Sequence, residues 1–308
     1  MTLTDHVASY IEFQRATGLS FQHAVPLLAS FAAHAEAEGE AFVRAQTCVA
    51  WASQAKSSRQ RHRRLRLVRQ LAVHLHAVDE GHEVPHPDAL GRGTYHRPPP
   101  RLLSPLQVRQ LMDAASQLPP VGSLTPVTFH YVFGLLASTG MRRSEATGLT
   151  LEDVTPDGLR IRKAKFGRAR LVPLHASVRS ALQRYMGIRS RCGSRSDRLF
   201  VLAHGRPVRP DYLTATFIRL ARQLGLRGGP GKPGTRLHDL RHGFAIRALE
   251  SAASGGRSAL GRHLLALSTY LGHASPAHTY WYLEATPVLL DQVSAATERL
   301  HSGRRGDD

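Results

Sequence analysis

Three consecutive prolines at positions 98–100, in the stretch GRGTYHRPPPRLLSP, constrain this chain more than any other feature. Proline has no amide proton and its ring clashes with the preceding turn, so no helix continues through such a run. The run favours an extended spacer instead. The chain is therefore expected to divide there, and 308 residues suffice for a domain on each side. The predicted organisation is a helical domain over residues 1–95, a linker over 96–104 and a second domain over 105–308.

The first part reads as helix almost throughout. HVASYIEFQRATG ends at a glycine, a helix stop, and FQHAVPLLASFAAHAEAEG and AFVRAQTCVAWASQA follow in the same manner. In SSRQRHRRLRLVRQLAVHLHAV the apolar residues Leu65, Val68, Leu71, Ala72 and Leu75 fall on one stripe. Arg59, Arg61, Arg63, Arg64, Arg66 and Arg69 crowd the first half of that helix. Six like charges repel one another, and a phosphate backbone would relieve the repulsion, so these arginines are candidate DNA contacts.

The charge of the whole chain points the same way. Lys and Arg number 41 against 23 Asp and Glu, a formal net charge of +18. Such an excess on a folded chain suggests a polyanionic partner, most simply nucleic acid. No apolar run approaches the ~20 residues of a membrane span. The N-terminal stretch MTLTDHVASYIEF lacks the basic start and apolar core of a secretory signal. The two cysteines, Cys48 and Cys192, form neither a disulfide framework nor a zinc-ligand pattern. A cytoplasmic location is expected.

The second part mixes helix with a little strand. LSPLQVRQLMDAA carries Ser104 as an N-cap, Pro105 at the first helical position and Gln107 to close a capping box. PVTFHYVFGLLASTG is apolar enough for a core helix. After the Asp157-Gly158 turn the period changes to two, predicting a hairpin with strands near 159–163 and 170–174. Helical patterns return in SVRSALQRYMGI, DYLTATFIRLARQLG, LHDLRHGFAIRALES and GRHLLALSTYLG. The predicted class is mainly α with a small antiparallel β-sheet.

Four stretches of the second part carry residues suited to phosphate chemistry. In STGMRRSEATGL one helix is expected to end near Gly140 and another to begin at Ser144 and Glu145. An arginine at such a corner can present its planar fork to a phosphate. In KAKFGRARLVPL basic residues crowd the hairpin turn, where a lysine can reach a leaving oxygen and give it a proton. In LHDLRHGFA, His238, Arg241 and His242 fall at i, i+3 and i+4, on one helix face. His238 and His242 also have the spacing of a metal pair, but the arginine between them would repel a cation, and no metal is expected.

The fourth stretch, STYLGHASPAHTYWYLEATP, holds Tyr270, Tyr280 and Tyr282. Ser275 suits an N-cap and Pro276 a first helical position, so a helix is expected to start there. Tyr280 and Tyr282 then point about 200° apart and cannot both enter one site. Tyr282 shares a polar face with His278 and Thr279. Tyr280 shares a more apolar face with Pro276, Ala277 and Leu283 and is expected to turn to the core. Tyr270, beside Ala266 and Leu267, is expected there too. This favours Tyr282 as the reactive tyrosine and leaves Tyr280 as the alternative.

Together these stretches resemble the tyrosine recombinase, or phage integrase, family. The family pattern is a Thr-Gly-x-Arg-x-Ser-Glu corner, a hairpin lysine, a His-x-x-Arg helix, a Leu-Gly-His and a tyrosine nine residues later. TGMRRSE places the first arginine at Arg142, with Arg143 beside it. KFGRARLVPL is similar to the family hairpin and places its lysine at Lys165. The glycines that flank that lysine in the family are replaced here by Ala164 and Phe166, which keeps Lys163 as an alternative. HDLRH supplies His238 and Arg241, LGH supplies His273, and the count lands on Tyr282. The resemblance spans residues 104 to 287. The stretch ESAASGGRSALGRH is longer than usual for the family and suggests an inserted loop.

What the resemblance implies is a DNA strand exchange that proceeds through a covalent 3′-phosphotyrosyl bond. Arg142 and Arg241 would clamp the non-bridging oxygens, and Lys165 would protonate the departing 5′-oxygen. His238 would assist removal of the Tyr282 proton, and His273 would bond a non-bridging oxygen. Two guanidinium groups do the neutralising work that divalent ions do elsewhere, so no cofactor is expected. Residues 1–95 correspond to the core-binding (SAM-like) DNA-binding domain. The expected partners are double-stranded DNA and further copies of the chain, two on a site and four in synapsis, with a partner recombinase as a further expectation. A Xer-like or transposon-type enzyme suits the short chain. The competing readings are a relaxase like the type IB topoisomerases and a DNA-binding protein that has lost catalysis.

Overall fold

The computed structural model describes residues 1–18, 21–91, 100–162, 169–232, 234–253, 256–272 and 277–284. The backbone separates into two compact units, Met1–Pro98 and Pro99–Asp308. Residues 96–99 of the expected linker lie outside the described residues, and positions 100–104 carry no regular structure.

The first unit is built from four helices, α1 (Leu3–Ala16), α2 (Val25–Ala37), α3 (Ala45–Ser53) and α4 (Ser58–His76). The starts of α1 and α4 are written in the sequence. The Thr2 hydroxyl accepts from the Asp5 amide while the Asp5 carboxylate accepts from the Thr2 amide. The Ser57 hydroxyl likewise accepts from the Gln60 amide. These bonds satisfy amides that a helix start leaves without partners. The predicted stripe Leu65, Val68, Leu71, Ala72 and Leu75 is buried, packed with Leu3, Leu28, Phe31 and Trp51. Phe31 and Trp51 meet edge to face at 5.5 Å, a geometry that the ring quadrupoles favour.

The second unit opens with α5 (Pro105–Ser116), whose capping box is formed as expected between Ser104 and Gln107. The apolar α6 (Leu124–Thr139) runs through the core and is followed by the short α7 (Arg143–Gly148). Strands β1 (Val154–Thr155), β2 (Gly158–Ile161) and β3 (Arg170–Val172) form an antiparallel sheet in that order. Leu159 pairs with Val172 and Ile161 with Arg170. Gly158 has φ +145°, and a Cβ there would run into the Val172 carbonyl oxygen, so only glycine fits this close approach. The expected hairpin is therefore present, with one further strand before it. Its tip, residues 163–168, lies outside the described residues.

Among the described residues five further helices follow in this unit: α8 (Ala176–Arg191), α9 (Pro210–Gln223), α10 (Asp239–Ala253), α11 (Gly256–Leu271) and α12 (Ala277–Glu284). The expectation of an inserted loop within ESAASGGRSALGRH is corrected here. The backbone is helical up to Ala253 and again from Gly256. Leucines on either side of the stretch, Leu249, Leu264, Leu267 and Leu271, form a small core with Ala245, Ile246 and Tyr282. Among the described residues no helix is long and apolar enough to cross a membrane.

Candidate active site

The site begins where α6 stops. Gly140 caps the helix with φ +62°, and a Cβ added there would lie 2.5 Å from the Phe244 ring. A left-handed glycine at this place turns the chain sharply and keeps it against α10. Two residues on, Arg142 forms the N-cap of α7. Its amide donates to Glu145 Oε2 at 2.8 Å and its guanidinium Nη1 to Glu145 Oε1 at 2.9 Å. Its other arm, Nη2, donates to the Gly272 carbonyl at 2.8 Å.

Arg241 reaches the same place from α10. It is 2% exposed, and donates through Nη1 to the Gly140 carbonyl and through Nη2 to the Leu271 carbonyl, both at 2.8 Å. Leu271 and Gly272 are the C-terminal end of α11, where the partial negative charge of a helix favours cations. The two arginines predicted to act together thus converge on adjacent carbonyls. They are close enough to disturb one another. Burial, joined by the positive charge of Arg142, lowers the Arg241 guanidinium to about 10 against the pull of Tyr282 and Glu145. Among the described residues its hydrogen bonds go to carbonyls, so it brings a buried cation without a carboxylate of its own.

A third arginine joins them. Arg170, at the start of β3, forks both arms onto Glu145, at 2.9 Å and 2.8 Å. The Glu145 side chain is 2% exposed and carries Arg142 and Arg170 together. Burial alone would raise its carboxyl. The Arg170 fork, with the Arg142 amide and guanidinium, outweighs this and holds it below its ordinary value. Three guanidiniums therefore gather here, two of them sharing the buried Glu145 carboxylate and the third resting on carbonyls. The excess of positive charge suits a phosphodiester whose charge grows during reaction.

Tyr282 lies on α12 and is 2% exposed. Its hydroxyl is 3.0 Å from Nδ1 of His242, itself buried. That histidine is one helical turn from His238, to which the resemblance assigns the tyrosine's proton. His238 is exposed, just ahead of α10, with its ring edge-on to His242 at 4.5 Å. The structure also corrects the face assignment of the tyrosines. Tyr280 does not turn to the core: it is 56% exposed, whereas Thr279 and Tyr282 are buried. The polar face is the one that packs on α10, because His242 there supplies the partner that a buried phenol requires. Tyr270 is half-buried and stacks on Phe244 at 5.5 Å, as a packing residue should. Burial pushes its phenol up to about 12, which Arg170 and Arg241 offset only in part.

Arg142, Arg241, His238 and Tyr282 are thus brought into one neighbourhood, whereas Lys163, Lys165 and His273 lie outside the described residues. Glu145, Arg170 and His242 were missed as site residues. Each was visible in a quoted motif. Glu145 stands four residues after Met141 in TGMRRSE, Arg170 precedes LVPL, and His242 shares the face of His238.

In the first unit, the basic half of α4 borders a groove of about 1140 Å³. Its six arginines do not act alike. Arg61, Arg64 and Arg69 donate to the carbonyls of Ala55, Trp51 and Pro85, and Arg64 also sits over the Trp51 ring at 4.8 Å. Arg59, Arg63 and Arg66 are exposed along the groove.

Known proteins bear out the resemblance. The sequence pattern of the phage integrase family matches residues 101–287. A putative integrase/recombinase y4rB of Sinorhizobium fredii is 35% identical over 308 residues, covering 97% of this chain and 98% of the relative. The tyrosine recombinase XerC of Erythrobacter litoralis is 32% identical over 225 residues, covering 72% of this chain and 67% of the relative. Among solved structures, the Tn1549 transposon integrase in complex with transposon right end DNA shares the fold. Its TM-score is 0.67 at 19% identity, covering 98% of this chain and all of that one. The XerH recombinase bound to its difH substrate is similar at TM-score 0.65 and 19% identity, covering 88% and 78%. With its family pattern spanning the second unit and a relative aligned over nearly its whole length, this chain belongs to the phage integrase family of tyrosine recombinases, enzymes that cut and rejoin DNA strands.

Proposed function

We propose that the chain is a site-specific DNA recombinase that breaks and remakes DNA strands through a covalent 3′-phosphotyrosyl bond to Tyr282. The observation that carries this reading is the meeting of Arg142 and Arg241 on the carbonyls of Gly272 and Leu271, with Tyr282 on the adjoining α12. A phosphodiester placed between the guanidiniums would have its non-bridging oxygens held by planar forks and its growing charge neutralised. The covalent bond keeps the energy of the broken one, so rejoining needs no high-energy cofactor. Phenolate is also a good leaving group for the reverse step.

Lys165 gives the departing 5′-oxygen its proton, with Lys163 as the alternative. His273 bonds a non-bridging oxygen. His238, at the solvent edge of the group, stands where an incoming phosphate passes. Glu145 and Arg170 hold Arg142 in place. Residues 1–95 bind the duplex beside the cleavage point. There Arg59, Arg63 and Arg66 contact phosphates, while Arg61, Arg64 and Arg69 chiefly brace the unit. The XerC relative and the transposon-end complex of the Tn1549 integrase support a recombinase of Xer or transposon type. The lambda integrase structures, a dimer on a core site and a tetramer on a Holliday junction, support action as a dimer per site and a four-chain synapse; a second recombinase is a further partner in this reading. Its place of action is the cytoplasm, where the DNA is.

The test uses nicked suicide duplexes from the DNA that flanks the gene. The parent protein is expected to form a denaturation-resistant adduct, and Tyr282→Phe to bind the duplex equally well with no adduct. An adduct from Tyr282→Phe would overturn the assignment. Relaxation of supercoils by single molecules on any sequence would favour the topoisomerase-like reading.

A further inference from the structure

We infer that His242 is the base that takes the phenolic proton from Tyr282 during strand cleavage. The inference rests on Tyr282 being the nucleophile. Its foundation is geometric: Nδ1 of His242 lies 3.0 Å from the Tyr282 hydroxyl, within proton-transfer distance. Both residues are almost wholly buried, at 1% and 2% exposure. The rest of the imidazole is fixed too. Trp281 packs on it at 5.2 Å and His238 edge-on at 4.5 Å.

The surroundings set the tautomer. Asp239 Oδ1 lies 4.0 Å from Nε2 of His242, and both side chains are 1% exposed. The carboxylate favours the ring proton on the nitrogen facing it, which leaves a lone pair on Nδ1 for the tyrosine. Arg236 in turn holds Asp239, its amide at 2.8 Å and Nη2 at 2.9 Å. The result is a chain from Asp239 through His242 to Tyr282, in the order of an orienting acid, a base and a hydroxyl nucleophile. Arg241 and Tyr282 also interact electrostatically, so developing phenolate is met by a cation.

The step balances without any further reagent. The Tyr282 O–H bond breaks and the proton passes to Nδ1, giving an imidazolium beside Asp239. The freed electron pair forms the bond from the phenolic oxygen to phosphorus. The bond from phosphorus to the 5′-oxygen breaks, and that oxygen takes a proton from the acid assigned to Lys165. On rejoining, the 5′-hydroxyl attacks phosphorus and gives its proton back to the group assigned to Lys165, the bond from phosphorus to the phenolic oxygen breaks, and His242 returns its proton to the phenolate. The phosphate, and not the phenol, is then the group that His238 serves.

The test is single-turnover cleavage by the full-length protein on the same suicide duplexes. These are made with either the natural 5′-oxygen or sulfur at the cleaved bond. Sulfur leaves without a proton, so it rescues a missing acid but not a missing base. His242→Asn keeps an acceptor near the phenol while removing basicity. It is expected to bind DNA as the parent does and to cleave about 10²- to 10⁴-fold more slowly on both substrates. Lys165→Ala is expected to be slow on oxygen and restored on sulfur. Cleavage by His242→Asn within a few-fold of the parent, or rescue by sulfur, would overturn the inference. If the melting temperature shows that His242→Asn is not folded, His242→Gln is read by the same criteria. An adduct on another tyrosine would remove the reading of Tyr282 itself, whereas a Tyr282 adduct formed at full rate without His242 removes only this inference.

Discussion

At the scale of the residue, the unusual feature is how few counter-charges the site contains. Glu145 serves both Arg142 and Arg170, and Arg241 sits buried on carbonyls. Removing Glu145 should therefore cost more than one ion pair. Glu145→Gln puts an amide donor against guanidinium donors and is expected to cost about 1–3 kcal/mol at neutral pH. The pH dependence has a definite sign. The folded carboxyl titrates below its ordinary value of 4.5. Its contribution is present above that value and is lost as pH falls through the lower, folded one. The stability gap between parent and Glu145→Gln, followed by thermal melting, should thus be full at pH 7 and close as the solution is acidified below 4.5. A gap that widens on acidification would contradict this account. Arg241→Lys keeps a charge but loses the fork that spans Gly140 and Leu271. It should lower single-turnover cleavage by about 10²-fold or more while DNA binding persists.

At the scale of the element, α12 matters most. Tyr282 and Arg241 are each 2% exposed, so a phosphodiester reaches them only when part of the cover shifts. Trp281 on α12 packs against His242 and reports that shift directly. Its fluorescence should change on binding a suicide duplex, before the adduct appears. Emission that stays constant through full cleavage would contradict a moving α12. This element also shows where sequence reasoning stopped. The capping box at Ser104, the stripe of α4 and the hairpin were legible because local bonds and simple periods create them. The face of α12 was not. Thr279 and Tyr282 form a polar pattern that normally faces water, and only the distant His242 makes it the buried one. The continuation of α10 and α11 into ESAASGGRSALGRH was not legible either, because it goes with the packing of Leu249 on α10 with Leu264, Leu267 and Leu271 on α11.

At the scale of the whole molecule, the net charge of +18 is the term a DNA partner sees first. Log affinity should fall steeply with log salt, by roughly 0.9 per phosphate neutralised. The groove of α4 divides the contributions. Arg63→Ala and Arg66→Ala should each lower that slope by about one without loss of stability. Arg64→Ala removes a cation from over the Trp51 ring and a bond to its carbonyl, so it should lower the melting temperature instead. What the sequence made legible at this scale was the ordered set of motifs. The motifs TGMRRSE, HDLRH and LGH lie far apart along the chain. Their meeting at the end of α11 depends on a glycine at position 140 and on the carbonyls of two neighbouring residues. No local pattern encodes that.

The central claim is that this meeting place holds a phosphate while Tyr282 attacks it. The most direct measurement is to trap the protein on a suicide duplex, digest the adduct and map the modified peptide by mass spectrometry. The account predicts a single nucleotide joined through its 3′-phosphate to Tyr282. A nucleotide on Tyr280 or Tyr270, or one joined through a 5′-phosphate, would contradict it.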